Sequence, residues 1–225
     1  MTKPFYTHIV VILDRSGSME TLKHDAIGGF NSFIEEQKKV SGEATLTLVQ
    51  FDHEYNVLCD FSPLHFAPSL NLSTFVPRGT TALLDAIGRT ITSVGQRLAS
   101  MPEYQRPSKV VFAVLTDGQE NASKEFNRAR IFDMITHQEQ KYNWVFAFLS
   151  SSLDAIQDAT VWYGIPVKWT YTYSSTSEGT RNAFVALASS VTSYRSTDNE
   201  FSLTDVVAST PPVASKSKKF RGASQ

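Results

Sequence analysis

Short apolar runs and amphipathic stretches alternate along the chain. FYTHIVVIL (residues 5–13) reads as a buried strand. Residues 19–39 place Ile27, Phe30, Phe33 and Ile34 at helical spacing before the charged end EEQKK, which predicts an amphipathic helix. ATLTLVQF (44–51) is a strand, DHEY a polar turn and NVLCDF (56–61) a returning strand, so the pair reads as a hairpin. Residues 62–79 carry Pro63, Pro68, Pro77 and Gly79 and are expected to be mostly loop. A helix follows over 82–100, ended by Pro102. KVVFAVL (109–115) is continuously apolar, as a parallel strand covered on both faces must be. A helix over 125–140, a strand NWVFAFL (143–149), a short helix over 152–163, a strand VKWTYTY (167–173) and a last helix over 178–194 complete the pattern.

Strands alternating with helices predict an α/β fold. The expected form is Rossmann-like and doubly wound: a mostly parallel six-stranded sheet, helices on both faces, and one antiparallel edge strand from the hairpin. The domain is expected over residues 5–196. From 197 to 225 the composition changes to PP, several Ser and Thr, and the basic cluster KSKKFR (216–221), which reads as a flexible C-terminal tail. No internal repeat is visible, and YSSTS (173–177) reads as a loop.

Composition narrows the function. A chain of 225 residues suits one domain of this kind. Its 21 basic and 22 acidic residues give a formal net charge of -1, so electrostatics make no case for nucleic acid or an anionic membrane surface. The single cysteine, Cys59, excludes an intrachain disulfide and a thiolate metal site, and favours a reducing compartment. The run HIVVIL is short for a signal-peptide core and meets Asp14 and Arg15 at once. No stretch approaches the ~20 apolar residues of a membrane helix. The expectation is a cytoplasmic protein.

Three segments fall where such a sheet exposes its functional edge, at the carboxyl ends of strands. LDRSGSM (13–19) follows the first strand and opens the first helix. Asp14, Ser16 and Ser18 alternate across a turn, so their oxygens can converge, and Gly17 lets the backbone turn tightly. RGTTALLDAIG (78–88) sets Thr80 and Thr81 before a helix. LTDG (115–118) ends the apolar central strand with Asp117 and Gly118. Carboxylate and hydroxyl oxygens suit a hard cation. Mg²⁺, which keeps several waters, matches a site with few protein ligands, and Mn²⁺ or Ca²⁺ belongs to the same class. Taken singly, each segment has a plainer reading. Asp14, Ser16 or Ser18 could cap the first helix, Thr81 the second, and Asp117-Gly118 could be a turn.

Together the segments resemble the von Willebrand factor A domain family. LDRSGSM is similar to its Asp-x-Ser-x-Ser signature, GTTALLDA to its Gly-Gly-Thr-x-Leu-x-x-Ala segment and LTDG to its third element. The three stand in the family's order, over roughly residues 5–195, and the small stand-alone bacterial and phage members look most similar. The resemblance implies a metal-ion-dependent adhesion site (MIDAS) made by Asp14, Ser16, Ser18, Thr81 and Asp117. Ser16 and Ser18 would bind the metal through their hydroxyls, and Thr81 directly or through water. Asp14 and Asp117 would act mainly through water and supply the negative charge. Where many relatives have Gly-Gly-Thr this chain has Gly79-Thr80-Thr81, so Thr80 stands as an alternative ligand.

Other residues invite weaker readings. Asp85 reads as a solvated or salt-bridged surface residue, Glu120 and Asn121 as polar loop, and Asp52 as hairpin chemistry. Ser150, Ser151, Ser152 and Asp154 fall on the same rim and could line a partner surface. The five histidines show no zinc spacing. Cys59 reads as a small core residue, and Trp144, Trp162 and Trp169 as packing residues. The expected function is a divalent-cation-dependent protein-binding module that coordinates an Asp or Glu carboxylate of a protein partner, not an enzyme. Two alternatives stand beside it: a metal-dependent hydrolase or phosphatase-like enzyme, and a metal-stabilised scaffold. Haloacid-dehalogenase-type phosphatases need a second Asp where this chain has Ser16. No Gly-x-Ser-x-Gly elbow and no GxxxxGK[ST] loop is present.

Overall fold

A computed structural model describes residues 1–197 and 200–203. Its strands are β1 (Lys3–Asp14), β2 (Glu43–Phe51), β3 (Tyr55–Pro63), β4 (Pro107–Thr116), β5 (Val145–Ser150) and β6 (Thr170–Thr172). Its α-helices are α1 (Lys23–Lys39), α2 (Leu83–Ser100), α3 (Arg128–Tyr142), α4 (Leu153–Val161) and α5 (Ser177–Ser196). The strands form one sheet in the order β3-β2-β1-β4-β5-β6. β3 alone runs antiparallel, against β2. The other pairings are parallel. This is the expected doubly wound α/β sheet with its antiparallel edge.

The core follows from the apolar strands. Ile9 to Leu13 of β1, Val110 to Leu115 of β4 and Val145 to Leu149 of β5 are all buried, as strands covered on both faces must be. Phe30, Phe33 and Ile34 of α1 and Phe184, Leu187 and Val191 of α5 fill one face, where the two helices pack on each other. α2 and α3 pack together on the other face. Right-handed crossovers require this division, because β1 to β2 and β4 to β5 step across the sheet in opposite directions.

Polar groups inside the layers are tied down. His8 on β1 is fully buried between two β2 hydroxyls, 2.9 Å from Thr45 Oγ1 and 3.2 Å from Thr47 Oγ1. Its ring stacks on Phe61 at 3.7 Å. Burial pushes its pKa down to about 3, so it stays neutral and acts as a register pin between β1 and β2. Arg195 of α5 is buried with its guanidinium on the carbonyls that end α1, 2.7 Å from Gln37 O. The negative end of the α1 dipole favours it there.

Four local expectations change. The first helical segment is split into a 3-10 stretch, Gly17–Leu22, and then α1. The strand expected over 167–173 is a 3-10 turn, Val167–Trp169, followed by the three-residue β6. Trp162 is half exposed at the end of α4, stacked under Arg128, whereas Trp144 and Trp169 are buried as expected. The packed structure also runs past residue 196. Phe201 and Leu203 are buried, Trp169 Nε1 donates to Phe201 O at 2.9 Å, and Leu203 N donates to Lys168 O at 2.9 Å. The basic cluster KSKKFR lies outside the described residues. Among the described residues no helix is long and apolar enough to cross a membrane.

Phe201→Ala removes a buried ring that packs edge-on against Tyr194 at 5.7 Å. The expected loss is about 3–5 kcal/mol, read from urea denaturation. A loss of about 0.5 kcal/mol, the size of a surface change, would return the end of the domain to residue 196.

Candidate metal site

The strand order reverses direction between β1 and β4. The two strands are parallel neighbours with Leu13 beside Leu115. The chain leaves β1 for α1 on one face and β4 for α3 on the other, so a crevice opens beyond their carboxyl ends. Asp14 ends β1, Thr116 ends β4, and Asp117-Gly118 follows at once.

All five expected site residues meet in this crevice. Asp14 is fully buried. Its Oδ1 accepts the Ser16 N–H at 2.6 Å and its Oδ2 accepts the Thr116 hydroxyl at 2.6 Å. Ser16 Oγ lies 3.1 Å from Ser18 Oγ, and Ser18 Oγ donates to Asp117 Oδ1 at 2.6 Å. Gly118 shows where the third segment joins. A Cβ built there would stand 3.3 Å from Thr81 Oγ1, 3.6 Å from Ser18 Oγ and 3.9 Å from Asp14 Oδ2. Thr81 is buried and faces the other oxygens, whereas Thr80 is exposed. The plainer capping readings fail on contacts. Ser16 occupies the cap position of the 3-10 segment but makes no side-chain cap bond. α2 begins after Ala82, which has no polar side chain to cap with, so Thr81 does not cap it either.

The start of α2 is capped from outside. Glu120 Oε2 accepts the Leu84 N–H at 2.9 Å and Ser123 Oγ accepts the Asp85 N–H at 3.0 Å. Asn121 Oδ1 accepts the Thr81 N–H at 2.9 Å. The exchange is reciprocal: Asp85 accepts the N–H groups of Lys124, Glu125 and Phe126 at 2.8 to 2.9 Å. Asp85 is therefore a buried hub and not the expected solvated surface residue. Its signal in the sequence was an acid in the first turn of a helix, which fits a surface role equally well.

Two further groups support the site and carry no sequence signature of their own. Thr116 orients Asp14 and also accepts the Gly118 N–H at 3.2 Å. Tyr173, buried after β6, donates its hydroxyl to Thr116 O at 3.3 Å. On the rim, Ser152 caps α4 through the Ala155 N–H, Ser151 Oγ donates to Asp117 O at 3.4 Å, and Gln119 donates to Asp154 at 2.7 Å.

Electrostatically the crevice is anionic. Burial pushes the Asp14 carboxyl up to about 6 against the opposing hydrogen bonds from Thr116 and Ser16, and neighbouring Asp117 adds to the rise. Burial also raises Asp117, against the hydrogen bond from Ser18. Tyr173 is made less acidic by burial and by both carboxylates. Two carboxylates held above their usual range is what a cation would relieve. Among the described residues no group of three or more His, Cys, Asp or Glu could hold a metal. Three of the five side chains that converge here are instead Ser or Thr, which offer hydroxyl oxygens. The oxygen-only donor set fits a hard divalent ion.

No protein-family model matches the chain, and no curated protein matches it in sequence. Solved structures match it in fold. One is proximal thread matrix protein 1 from the mussel byssus with a zinc-occupied MIDAS motif, at TM-score 0.59 and 14% identity over 83% of this chain and 46% of that one. Another is a von Willebrand factor type A protein from Catenulispora acidiphila, at TM-score 0.61 and 16% identity over 83% and 42%. A third is the von Willebrand factor domain of the type V pili tip protein Mfa5 from Porphyromonas gingivalis, at TM-score 0.60 and 11% identity over 87% and 98%. The chain thus spans under half the length of the first two and nearly all of the third. At these identities the likeness establishes the fold, which is that of von Willebrand factor A domains.

The raised Asp14 value has a consequence for the metal-free protein. Folding binds a proton more tightly than the unfolded chain does between 3.8 and about 6, so the contribution of Asp14 is full below about pH 4 and is lost as pH rises through 6. In EDTA, Asp14→Asn should therefore gain on the wild type by on the order of 3 kcal/mol between about pH 4 and pH 8. Parallel denaturation curves for the two proteins would contradict the assigned burial.

Proposed function

We propose that this chain is a divalent-cation-dependent protein-binding module. Ser16, Ser18 and Thr81 would hold the ion through hydroxyls, and Asp14 and Asp117 through water or as neutralising charges. The observation that carries the reading is the convergence of these five side chains from three loops. The zinc-occupied MIDAS motif of the mussel-byssus neighbour supports it, as a case of a divalent ion within the same fold. Mg²⁺ is the favoured ion because the donors are all oxygen and few, which leaves room for bound water. Mn²⁺ or Ca²⁺ would bind on the same chemistry.

When bound, the ion would supply a point of positive charge able to attract an outside carboxylate. The residues do the rest. Asp14 and Asp117 set the local charge, Thr116 and the Ser16 N–H fix Asp14, and the exchange of caps between α2 and residues 120–126 holds Thr81 in place. The partner would be a protein that presents an Asp or Glu side chain at the crevice. Ser151, Gln119 and Asp154 lie on the rim it would cover. This reading involves binding and no turnover.

Two measurements test it. Calorimetric titration should show Mg²⁺ or Mn²⁺ binding that Ser16→Ala weakens by at least about tenfold, since even outer partners of a metal cost that much. A pull-down in Mg²⁺ should retain a partner that is lost in EDTA and in Ser16→Ala. A partner set indifferent to both would assign any bound metal a purely structural part.

A further inference from the structure

Beside the proposed metal site, outside its five side chains, lies another fully buried carboxylate. Asp52 follows β2 at the hairpin turn and is fully buried. Its Oδ1 accepts the Glu54 N–H at 2.6 Å, which is the hairpin role expected of it. Its Oδ2 does something else. Arg78 Nε donates to it at 3.0 Å, and Arg15 Nε lies 3.0 Å from the same oxygen. The Arg15 contact is ionic, since that Nε makes no hydrogen bond, and the Arg15 side chain is nearly as buried as Asp52. Glu54 also pairs with Arg78, but from an exposed position where solvent screens it.

The same turn is threaded by backbone bonds. Arg15 N donates to Phe51 O at 2.8 Å, Arg78 N to Arg15 O at 2.8 Å, Gly17 N to Gly79 O at 3.2 Å and Ala82 N to Asp52 O at 2.9 Å. Gly79 sits at φ +67, and a Cβ there would strike the His53 ring at 2.1 Å, so the 78–82 segment lies directly on the hairpin turn. Arg15 is the residue between Asp14 and Ser16. Ala82 is the residue after Thr81. The clasp therefore grips both loops that carry the hydroxyl ligands, one peptide away from the ligands themselves.

We propose that Asp52 is a positioning residue for the metal site. It neutralises Arg15 and Arg78 and thereby holds the 15–18 and 78–82 loops at metal-binding spacing. This rests on the metal reading above. Neutral hydroxyls are weak ligands, so affinity depends on having them already in place. Without the Asp52 charge the buried Arg15 guanidinium keeps as counter-charge only Glu54, 3.8 Å away and more than half exposed, so it is drawn toward the surface and Ser16 moves with it.

The test is calorimetric titration of Mg²⁺ and of Mn²⁺ into the full chain as wild type, Asp52→Asn and Arg78→Gln, with melting in EDTA alongside. Asp52→Asn keeps an oxygen for the Glu54 N–H, while its amide nitrogen removes both the charge and the acceptor that face Arg78 and Arg15. The expected result is a Kd weakened roughly 10- to 100-fold in Asp52→Asn and by a smaller factor in Arg78→Gln, with wild-type circular dichroism in both. A purely structural role predicts a lower melting temperature in EDTA with a Kd within about twofold of wild type, and that outcome overturns the proposal. Should Asp52→Asn not fold, Arg78→Gln decides alone, because its side chain is half exposed. A wild type that binds neither ion overturns the metal reading and this proposal together. A wild type that binds, beside variants that bind equally well, overturns this proposal only.

Discussion

Everything at the functional edge of this sheet answers to one demand: the Asp14 carboxylate is buried at the end of a strand and must find donors there. An unsatisfied buried carboxylate is too costly to keep. One oxygen takes the Ser16 N–H, which forces the chain to turn immediately after β1. The other takes the Thr116 hydroxyl, which is available only because β4 lies beside β1 in the register that sets Leu13 against Leu115. The turn presents Ser16 and Ser18, and the register presents Asp117. The site is thus a product of strand order as much as of residue identity.

The alternation of apolar runs and helical patterns carried the layer architecture, because strands buried on both faces cannot hide their composition. The convergence of Asp14, Ser16, Ser18, Thr81 and Asp117 was legible too, since each lies in a short local motif at a strand end or helix start. Contacts made between segments distant along the chain were not. Asp85 resembles any acid in the first turn of a helix until residues 124–126 are seen to fold over it. Asp52 resembles a hairpin residue until Arg15 and Arg78 arrive from two other loops. Phe201 and Leu203 stand in a stretch whose composition suggests a tail, and only the edge beside Trp169 shows that two apolar residues suffice to dock it. Trp162 differs the other way, because a large aromatic predicts burial and this one is half exposed, with the Arg128 guanidinium 5.7 Å from its ring centre.

Buried charges outside the five converging side chains share a common design. Arg195 meets helix-end carbonyls, Asp85 meets three N–H groups, and Asp52 meets two arginines and an N–H. Each joins segments that local hydrogen bonding would leave independent. The loops at the carboxyl edge are held by ionised side chains because they have few apolar residues with which to pack. Buried charged groups of this kind are costly to unpair, so they fix one arrangement of the loops and disfavour others.

The exchange of caps between α2 and the 118–126 segment also determines where this fold can accept new sequence. Glu120, Asn121 and Ser123 each reach a particular N–H of α2 or the residues just before it, while Asp85 reaches back to three consecutive ones. One inserted residue would put that ladder out of phase, so the segment has in effect a fixed length. The surface tip at Leu72–Ser73 bears no such constraint: it is exposed and closed by its own Asn71–Thr74 hydrogen bonds. An added recognition loop, whether acquired by descent or grafted by design, has room there and none beside Asp117.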